Sequence, residues 1–151
     1  LVWEERCTFL SRERGTGQAR PGTTPLPEEA LTPLRTWDAP PDIGRRFGLA
    51  TGDINPIHLS PYTARPFGFK RAIAHGAWTL TRTVSELEQR ALVSLHLLRC
   101  DFKRPLLLPG RVRLEVGTGA EERAFSLVNV RDEKHILMGE ICFSEPPHLD
   151  N

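Results

Sequence analysis

The chain has 151 residues, of which 39% are hydrophobic and 26% are charged, and its formal net charge is +1. Such a length is that of one ordinary domain, and such a composition is typical of a folded protein rather than a disordered one. The near-zero charge argues against nucleic acid or an anionic membrane as a partner, and no apolar run is long enough to form a transmembrane helix.

Two segments are predicted at the beginning of the chain. Residues 1–10 follow a strand pattern, and residues 11–33 are rich in proline and glycine, which is typical of a linker. Because an isolated strand leaves its backbone groups without partners, we expect residues 1–10 to be the tail of a preceding domain. The chain starts at Leu1 without an initiator methionine, so we expect it to be part of a longer protein.

A short strand and a short helix are predicted next. Leu34–Trp37 is the strand, and Pro41-Asp42 opens the helix. Gly52 stands where a C-terminal helix cap is expected. Residues 53–70 are predicted to be mostly loop, with one helical turn near residues 63–65. The core-facing stripe of the helix is predicted to consist of Ile43, Phe47 and Ala50.

The strongest helical pattern covers residues 75–92. Apolar side chains recur there at spacings of four and three, at Ile73, Ala77, Leu80, Val84, Leu87 and Ala91. Four strands are predicted after it, at residues 95–103, 111–116, 125–130 and 136–143, and the last two are separated by a charged turn at 131–134. One short strand, a long helix and a run of antiparallel strands predict an α+β fold.

The pair Asp53 and His58 could carry out acid–base chemistry. A carboxylate and an imidazole aimed at one point can hold and activate a water molecule. The turn-forming pair Asn55-Pro56 lies between them and could fold the two side chains toward each other. The alternative is purely structural: Asp53 caps the helix, Asn55 supports the turn and His58 packs in the interior.

His75 and Gly76 stand at the start of the long predicted helix. The first N–H groups of a helix have no intrahelical acceptor and carry partial positive charge, and glycine lets a substrate carbonyl approach them. The two residues could therefore bind a developing oxyanion. The alternative is that Gly76 permits close packing and that His75 is a cap or is solvated.

Other kinds of site are not supported. No further histidine or cysteine has metal-ligand spacing relative to His58 and His75, so we expect no metal. The motifs GxGxxG, GxxxxGK[ST] and GxSxG do not occur, so no dinucleotide or phosphate loop and no nucleophile elbow is expected. The three cysteines are widely spaced and include no CxxC pair, which favours a reducing, cytoplasmic compartment.

Taken in order, these motifs carry a family resemblance. The segment 52–58 (GDINPIH), followed by Ala64, Phe67-Gly68 and the segment 73–76 (IAHG), resembles the hydratase-2 motif of the MaoC-like (R)-specific enoyl-thioester hydratases and dehydratases. The segment 102–110 is similar to the family's strand-to-turn signature. The resemblance implies a hot-dog fold, in which a curved antiparallel sheet wraps a long helix.

The resemblance also implies roles for the motif residues. Asp53 and His58 would be the catalytic pair, and they would hold the water that adds to C3 of a trans-2-enoyl thioester. Gly76 would bind the thioester carbonyl, with Asn55 and His75 as further oxyanion or substrate-binding residues. The reverse reaction would dehydrate an (R)-3-hydroxyacyl thioester of coenzyme A or of an acyl carrier protein. No cofactor is implied.

The resemblance suggests a domain division as well. Residues 1–10 would be the last strand of a preceding hot-dog half, 11–33 the linker, 34–145 the catalytic hot-dog domain and 146–151 a tail. We expect a homodimer or a pairing with a second hot-dog half. Two alternatives stay open, namely a non-catalytic hot-dog half that binds acyl thioesters or is structural, and a hot-dog thioesterase.

Overall fold

A computed structural model describes residues 30–91, 95–119 and 122–143. The predictions for residues 1–10, for most of the linker and for the tail lie outside these residues. The elements are β1 (Thr32–Ala39), α1 (Ile43–Thr51), α2 (Pro61–Ala64), α3 (Gly76–Ala91), β2 (Leu95–Phe102), β3 (Gly110–Val116), β4 (Glu122–Asn129) and β5 (Lys134–Phe143).

The five strands form one sheet in the order β1-β3-β4-β5-β2, and every neighbouring pair is antiparallel. All four strands predicted after the long helix are present. The largest difference between the predicted and the observed bounds is at β4, which begins at Glu122 instead of residue 125. Strands β1 and β2 are the edges of this sheet. The α+β prediction is therefore confirmed.

Helix α1 buries different residues from those predicted. Ile43 and Phe47 are half-buried, but Ala50 is exposed, so the predicted core-facing stripe is partly wrong. The two buried residues of α1 are Gly44 and Gly48. The helix uses its glycines to approach the loop that follows it, and this close approach leaves no room for larger side chains. Gly52 ends α1 in the left-handed conformation, as predicted.

More of the segment 53–70 is helical than predicted. Pro56–His58 and Arg65–Phe67 are 3-10 turns on either side of α2. Ser60 and Thr63 form a capping box at the start of α2, and a proline occupies the first turn of each of the three short helices. These local hydrogen bonds and fixed proline φ angles make the segment a well-defined scaffold for the residues around His58.

Helix α3 lies within one residue of its predicted ends. It places Leu87 in the main apolar cluster, with Trp78 packed against that cluster. Among residues 76–89, the other buried positions of the helix are polar, namely Thr79, Thr83 and Glu86. The apolar stripe is only partly covered, because Ala77 is exposed and Leu80 and Val84 are half-buried. The sheet residues of the cluster are Ala39, Val112, Leu114, Val116, Phe125, Leu127, Ile136, Leu137 and Ile141.

The chain immediately before α3 is held by the β2–β3 connection. Ile73 forms an isolated antiparallel bridge with Leu107. The N–H of Ala74 donates to the carbonyl of Leu106 over 2.8 Å, and the N–H of Leu108 donates to the carbonyl of Ala72 over 2.8 Å. These bonds fix the position at which α3 begins. No helix in the described ranges is long and apolar enough to cross a membrane.

Candidate active site

The loop after α1 is shaped by its own polar side chains. Oδ1 of Asp53 accepts a hydrogen bond from the N–H of Asn55 over 3.3 Å. Oδ1 of Asn55 accepts in turn from the N–H of Ile57 over 3.3 Å and caps the 3-10 turn that ends at His58. One oxygen of Asn55 is therefore used by the loop. The Asp53 side chain remains 57% exposed, so its carboxylate can reach solvent or substrate.

His58 is a buried imidazole with a defined proton position. Its Nδ1 lies 2.9 Å from the carbonyl oxygen of Ile73. Because a carbonyl can only accept, Nδ1 carries the proton in this bond and Nε2 of the neutral ring is left with its lone pair. Burial lowers the pKa of His58, and the neighbouring His75 lowers it further, against opposing effects of the Ile73 carbonyl and Asp53. The site therefore favours a neutral imidazole that can accept a proton.

His75 joins these two residues. Its side chain is 3% exposed, and its Nε2 lies 3.0 Å from the backbone carbonyl oxygen of Asp53 and 3.6 Å from Oδ2 of the same residue. The rings of His58 and His75 are stacked, with 3.6 Å between centroids and 24° between planes. Phe47 of α1 also contacts the His75 ring, with centroids 5.0 Å apart. Asp53, His58 and His75 thus form one cluster.

The cluster also offers three potential metal ligands, whose donor atoms lie within 4.8 Å of one another. One nitrogen of each imidazole is also bonded to a backbone carbonyl. Each imidazole therefore has one nitrogen left for a further ligand or for a proton.

Gly76 lies beside this cluster as the first residue of α3. It is exposed, and its N–H belongs to the first turn, where no intrahelical acceptor exists. The half-exposed ring of Phe102 faces it: a Cβ at residue 76 would lie 3.3 Å from Cε1 of Phe102. An exposed amide at a helix N-terminus is suited to binding a carbonyl oxygen on which negative charge develops.

The sequence did not predict two of these contacts. The first is the stacking of His58 on His75, although both residues lie in the motif from which the family resemblance was drawn. The second is the ring of Phe102 against Gly76. Neither contact has a local sequence signal, because the residues of the first lie 17 positions apart in the chain and those of the second lie 26 positions apart.

A family model described as the MaoC like domain matches residues 17–137. The chain belongs to the MaoC-like domain family. The family resemblance inferred from the segments 52–58 and 73–76 is therefore confirmed. The 3-hydroxyacyl-thioester dehydratase X of Mycobacterium tuberculosis is 32% identical over 120 residues, which cover 79% of this chain and 42% of the dehydratase. This MaoC-like chain thus spans less than half the length of that relative.

Solved structures of a hydratase and of a dehydratase are similar to the chain. The (R)-hydratase from A. caviae gives a TM-score of 0.67 at 20% identity, covering 82% of this chain and 100% of that structure. A MaoC-like dehydratase from Phytophthora capsici gives 0.72 at 20% identity, covering 91% and 50%. Such identities show the fold alone. The antiparallel five-stranded sheet with its central helix is the hot-dog fold, as the resemblance implied.

Proposed function

We propose that this MaoC-like domain catalyses the reversible hydration of trans-2-enoyl thioesters, which is the dehydration of (R)-3-hydroxyacyl thioesters in the other direction. The observation that carries the proposal is the meeting of an exposed carboxylate, Asp53, with a neutral imidazole, His58, next to the N-terminus of α3. The name of the M. tuberculosis relative, a 3-hydroxyacyl-thioester dehydratase, agrees with this chemistry.

The hydration needs a water proton to be removed and a proton to be delivered. In the proposed mechanism Asp53 and His58 hold one water molecule between them. As its oxygen adds to C3 of the enoyl thioester, the pair takes one proton from the water and returns a proton to C2. Nε2 of His58 is the available nitrogen, because Nδ1 is bonded to the Ile73 carbonyl. The net change is the addition of water across the double bond, which requires no redox partner.

Negative charge develops on the thioester oxygen during this addition. We propose that the N–H of Gly76 donates to that oxygen, assisted by the partial positive charge at the N-terminus of α3. Asn55 supports the loop through its bond to Ile57 and has its amide nitrogen left for the substrate. The carrier of the acyl group in the proposal is coenzyme A or an acyl carrier protein.

A second hot-dog unit is part of the proposal, either a second copy of the chain or a neighbouring half. Strand β2 is a sheet edge, and it exposes Leu97 and Phe102. Two surface hollows among the described residues, of about 440 and 290 Å³, are lined by residues around Lys70, and neither is lined by Asp53 or His58. A partner packed against β2 and α3 would cover the exposed apolar surface and enclose an acyl chain.

The proposed location is the cytoplasm, for which the support is the cysteine spacing.

The two alternative functions have less support. A hot-dog thioesterase would use a carboxylate on or near the central helix. The first ten residues of α3 include no carboxylate, and Glu86 further along is buried and bonded to Arg82, with Arg35 at 3.7 Å. A non-catalytic half would have no need to keep Asp53 and His58 together in one cluster.

Hydration of crotonyl-CoA tests the proposal through the loss of the absorbance of the conjugated thioester. Asp53→Asn and His58→Gln should each lower the rate by about 10²–10⁴-fold, the usual contribution of general acid–base catalysis. Asp42→Asn is the matched control, since Asp42 is a half-exposed carboxylate at the other end of α1. Wild-type rates in both variants would exclude the mechanism, and release of free thiol from an acyl-CoA would indicate a thioesterase instead.

A further inference from the structure

The proposed reaction uses Asp53, His58 and Gly76, and it leaves one buried titratable group of the cluster without a task. That group is His75. We propose that His75 is a positioning residue, which fixes the direction of the Asp53 carboxylate through the Asp53 backbone and fixes the plane of the His58 ring by stacking on it. This inference rests on the proposed function and replaces substrate contact as the expected role of His75.

The first part of the argument is the bond between His75 and the Asp53 backbone. Nε2 of His75 donates to the Asp53 carbonyl over 3.0 Å, because that oxygen can only accept. The same carbonyl lies against α1, where a Cβ at Gly48 would stand 2.6 Å from it and 3.6 Å from Cε1 of His75. The carbonyl is therefore held between α1 and His75. This contact fixes the backbone from which the Asp53 carboxylate projects, and the carboxylate itself remains exposed.

The second part is the contact between the two rings. The Ile73 carbonyl fixes the Nδ1 side of His58, but one hydrogen bond does not prevent the ring from tilting about it. The His75 ring lies flat on His58 at 3.6 Å and limits that tilt. His75 is itself supported by Phe47 and by its burial. The direction of the His58 Nε2 lone pair is thus set by two contacts. The hydrogen bond to the Ile73 carbonyl holds one edge of the ring, and the His75 ring covers one of its faces.

The third part is that His75 is poorly placed to touch a substrate. Its side chain is 3% exposed, and one ring nitrogen is committed to Asp53. Its Nδ1 is buried and has no hydrogen-bond partner among the described residues. The titratable groups that face His58 are His75 and Asp53, and the electrostatic effect of His75 lowers the pKa of His58. His75 therefore acts on the reaction through its two neighbours.

Two substitutions separate the parts of this role. His75→Phe keeps a flat ring against His58 and removes the donor to the Asp53 carbonyl. His75→Gln keeps an N–H donor of similar reach and removes the ring. We expect each to lower kcat for crotonyl-CoA hydration by up to about 10²-fold, the cost of a misplacement of about 1 Å, with KM changed less than threefold. His75→Gln should retain more activity if the carbonyl bond dominates, and His75→Phe more if the stacking dominates.

A readout that does not depend on activity is the NMR titration of His58, with His135 on β5 as an internal reference in the same protein. Loss of His75 should raise the pKa of His58 and leave the chemical shifts of the His135 ring at neutral pH unchanged. An unaltered His58 titration with wild-type kcat in both variants would overturn the proposal. A rise in KM alone would also overturn it, because it would indicate substrate contact. If His58→Gln were fully active while the titration responded to His75, the proposed function would fail and the positioning contact would stand.

Discussion

Gly44 of α1 lies directly against the backbone of His58, so that a Cβ at residue 44 would overlap the His58 carbonyl oxygen. The first helix and the loop with the proposed catalytic imidazole are therefore in contact at the backbone. The buried glycines of α1 serve the site in the same way, with Gly44 against His58 and Gly48 against Asp53.

The Gly44–His58 contact predicts a large effect of one methyl group. Gly44→Ala should lower the free energy of unfolding by about 1–3 kcal/mol, the typical cost of overpacking, and should lower the hydration rate by moving His58. Leu49→Ala in the same helix is the control, since Leu49 is 79% exposed and its replacement should change stability by less than about 0.5 kcal/mol. Denaturant unfolding measures the stability of the two variants. Equal stability of the two variants would contradict the described contact.

The lowered pKa of His58 predicts a pH dependence of stability. The folded state holds fewer protons at this residue than the unfolded state, whose His58 titrates near 6.5, so the free energy of unfolding should fall as the pH falls below 6.5. The loss should level off below the folded pKa. His58→Gln should reduce this slope, and the difference between the two proteins isolates His58 from the other histidines. If the free energy of unfolding depended more steeply on pH in the variant than in the wild type, the lowered pKa of His58 would be wrong.

The same pKa shift predicts a feature of the activity profile. If neutral His58 accepts the water proton, the acid limb of kcat/KM should have its midpoint below pH 6.5, because the free enzyme keeps this imidazole neutral to a lower pH than an exposed histidine. Rates of crotonyl-CoA hydration between about pH 4.5 and 8 measure the midpoint. A midpoint above pH 6.5 would show that the acid limb does not arise from protonation of His58.

Gly76 and Phe102 together allow a test of why residue 76 is glycine. Gly76→Ala should lower activity by bringing a methyl group against the N–H and against the Phe102 ring. If the glycine is needed for the thioester carbonyl, Gly76→Ala should be equally harmful in a Phe102→Ala background. If it is needed only for packing, Phe102→Ala should restore the activity. The double-mutant cycle of hydration rates distinguishes the two cases.

Strand β2 predicts where a second hot-dog unit would pair. Leu97→Lys places a charge on this edge strand, where Leu97 is 41% exposed, and should weaken association or lower stability. Leu49→Lys makes the same change at an exposed position of α1 and should have neither effect. Sedimentation and thermal unfolding measure the two quantities. Identical behaviour of both variants would exclude β2 as the paired edge.

Much of this protein could be predicted from local sequence. The spacing of apolar residues in 75–92 predicts α3 to within one residue at each end, because helical periodicity is a property of neighbouring positions. The alternation of apolar and polar residues in 111–116 predicts β3, because the two-residue period of a strand is also a property of neighbouring positions. The left-handed cap at Gly52 also follows from one residue type at one place. The family resemblance likewise depends on short segments that are read directly from the chain.

What only the tertiary structure decided is which faces are buried and which side chains meet. Ala50 was predicted to face the core and is exposed, because α1 approaches the His58 loop through Gly44 and Gly48. The stacking of His58 on His75 depends on the return of the chain through the Ile73–Leu107 bridge. The sequence by itself determined the elements and the residues capable of chemistry. Their convergence depended on contacts between distant parts of the chain, which no local pattern encodes.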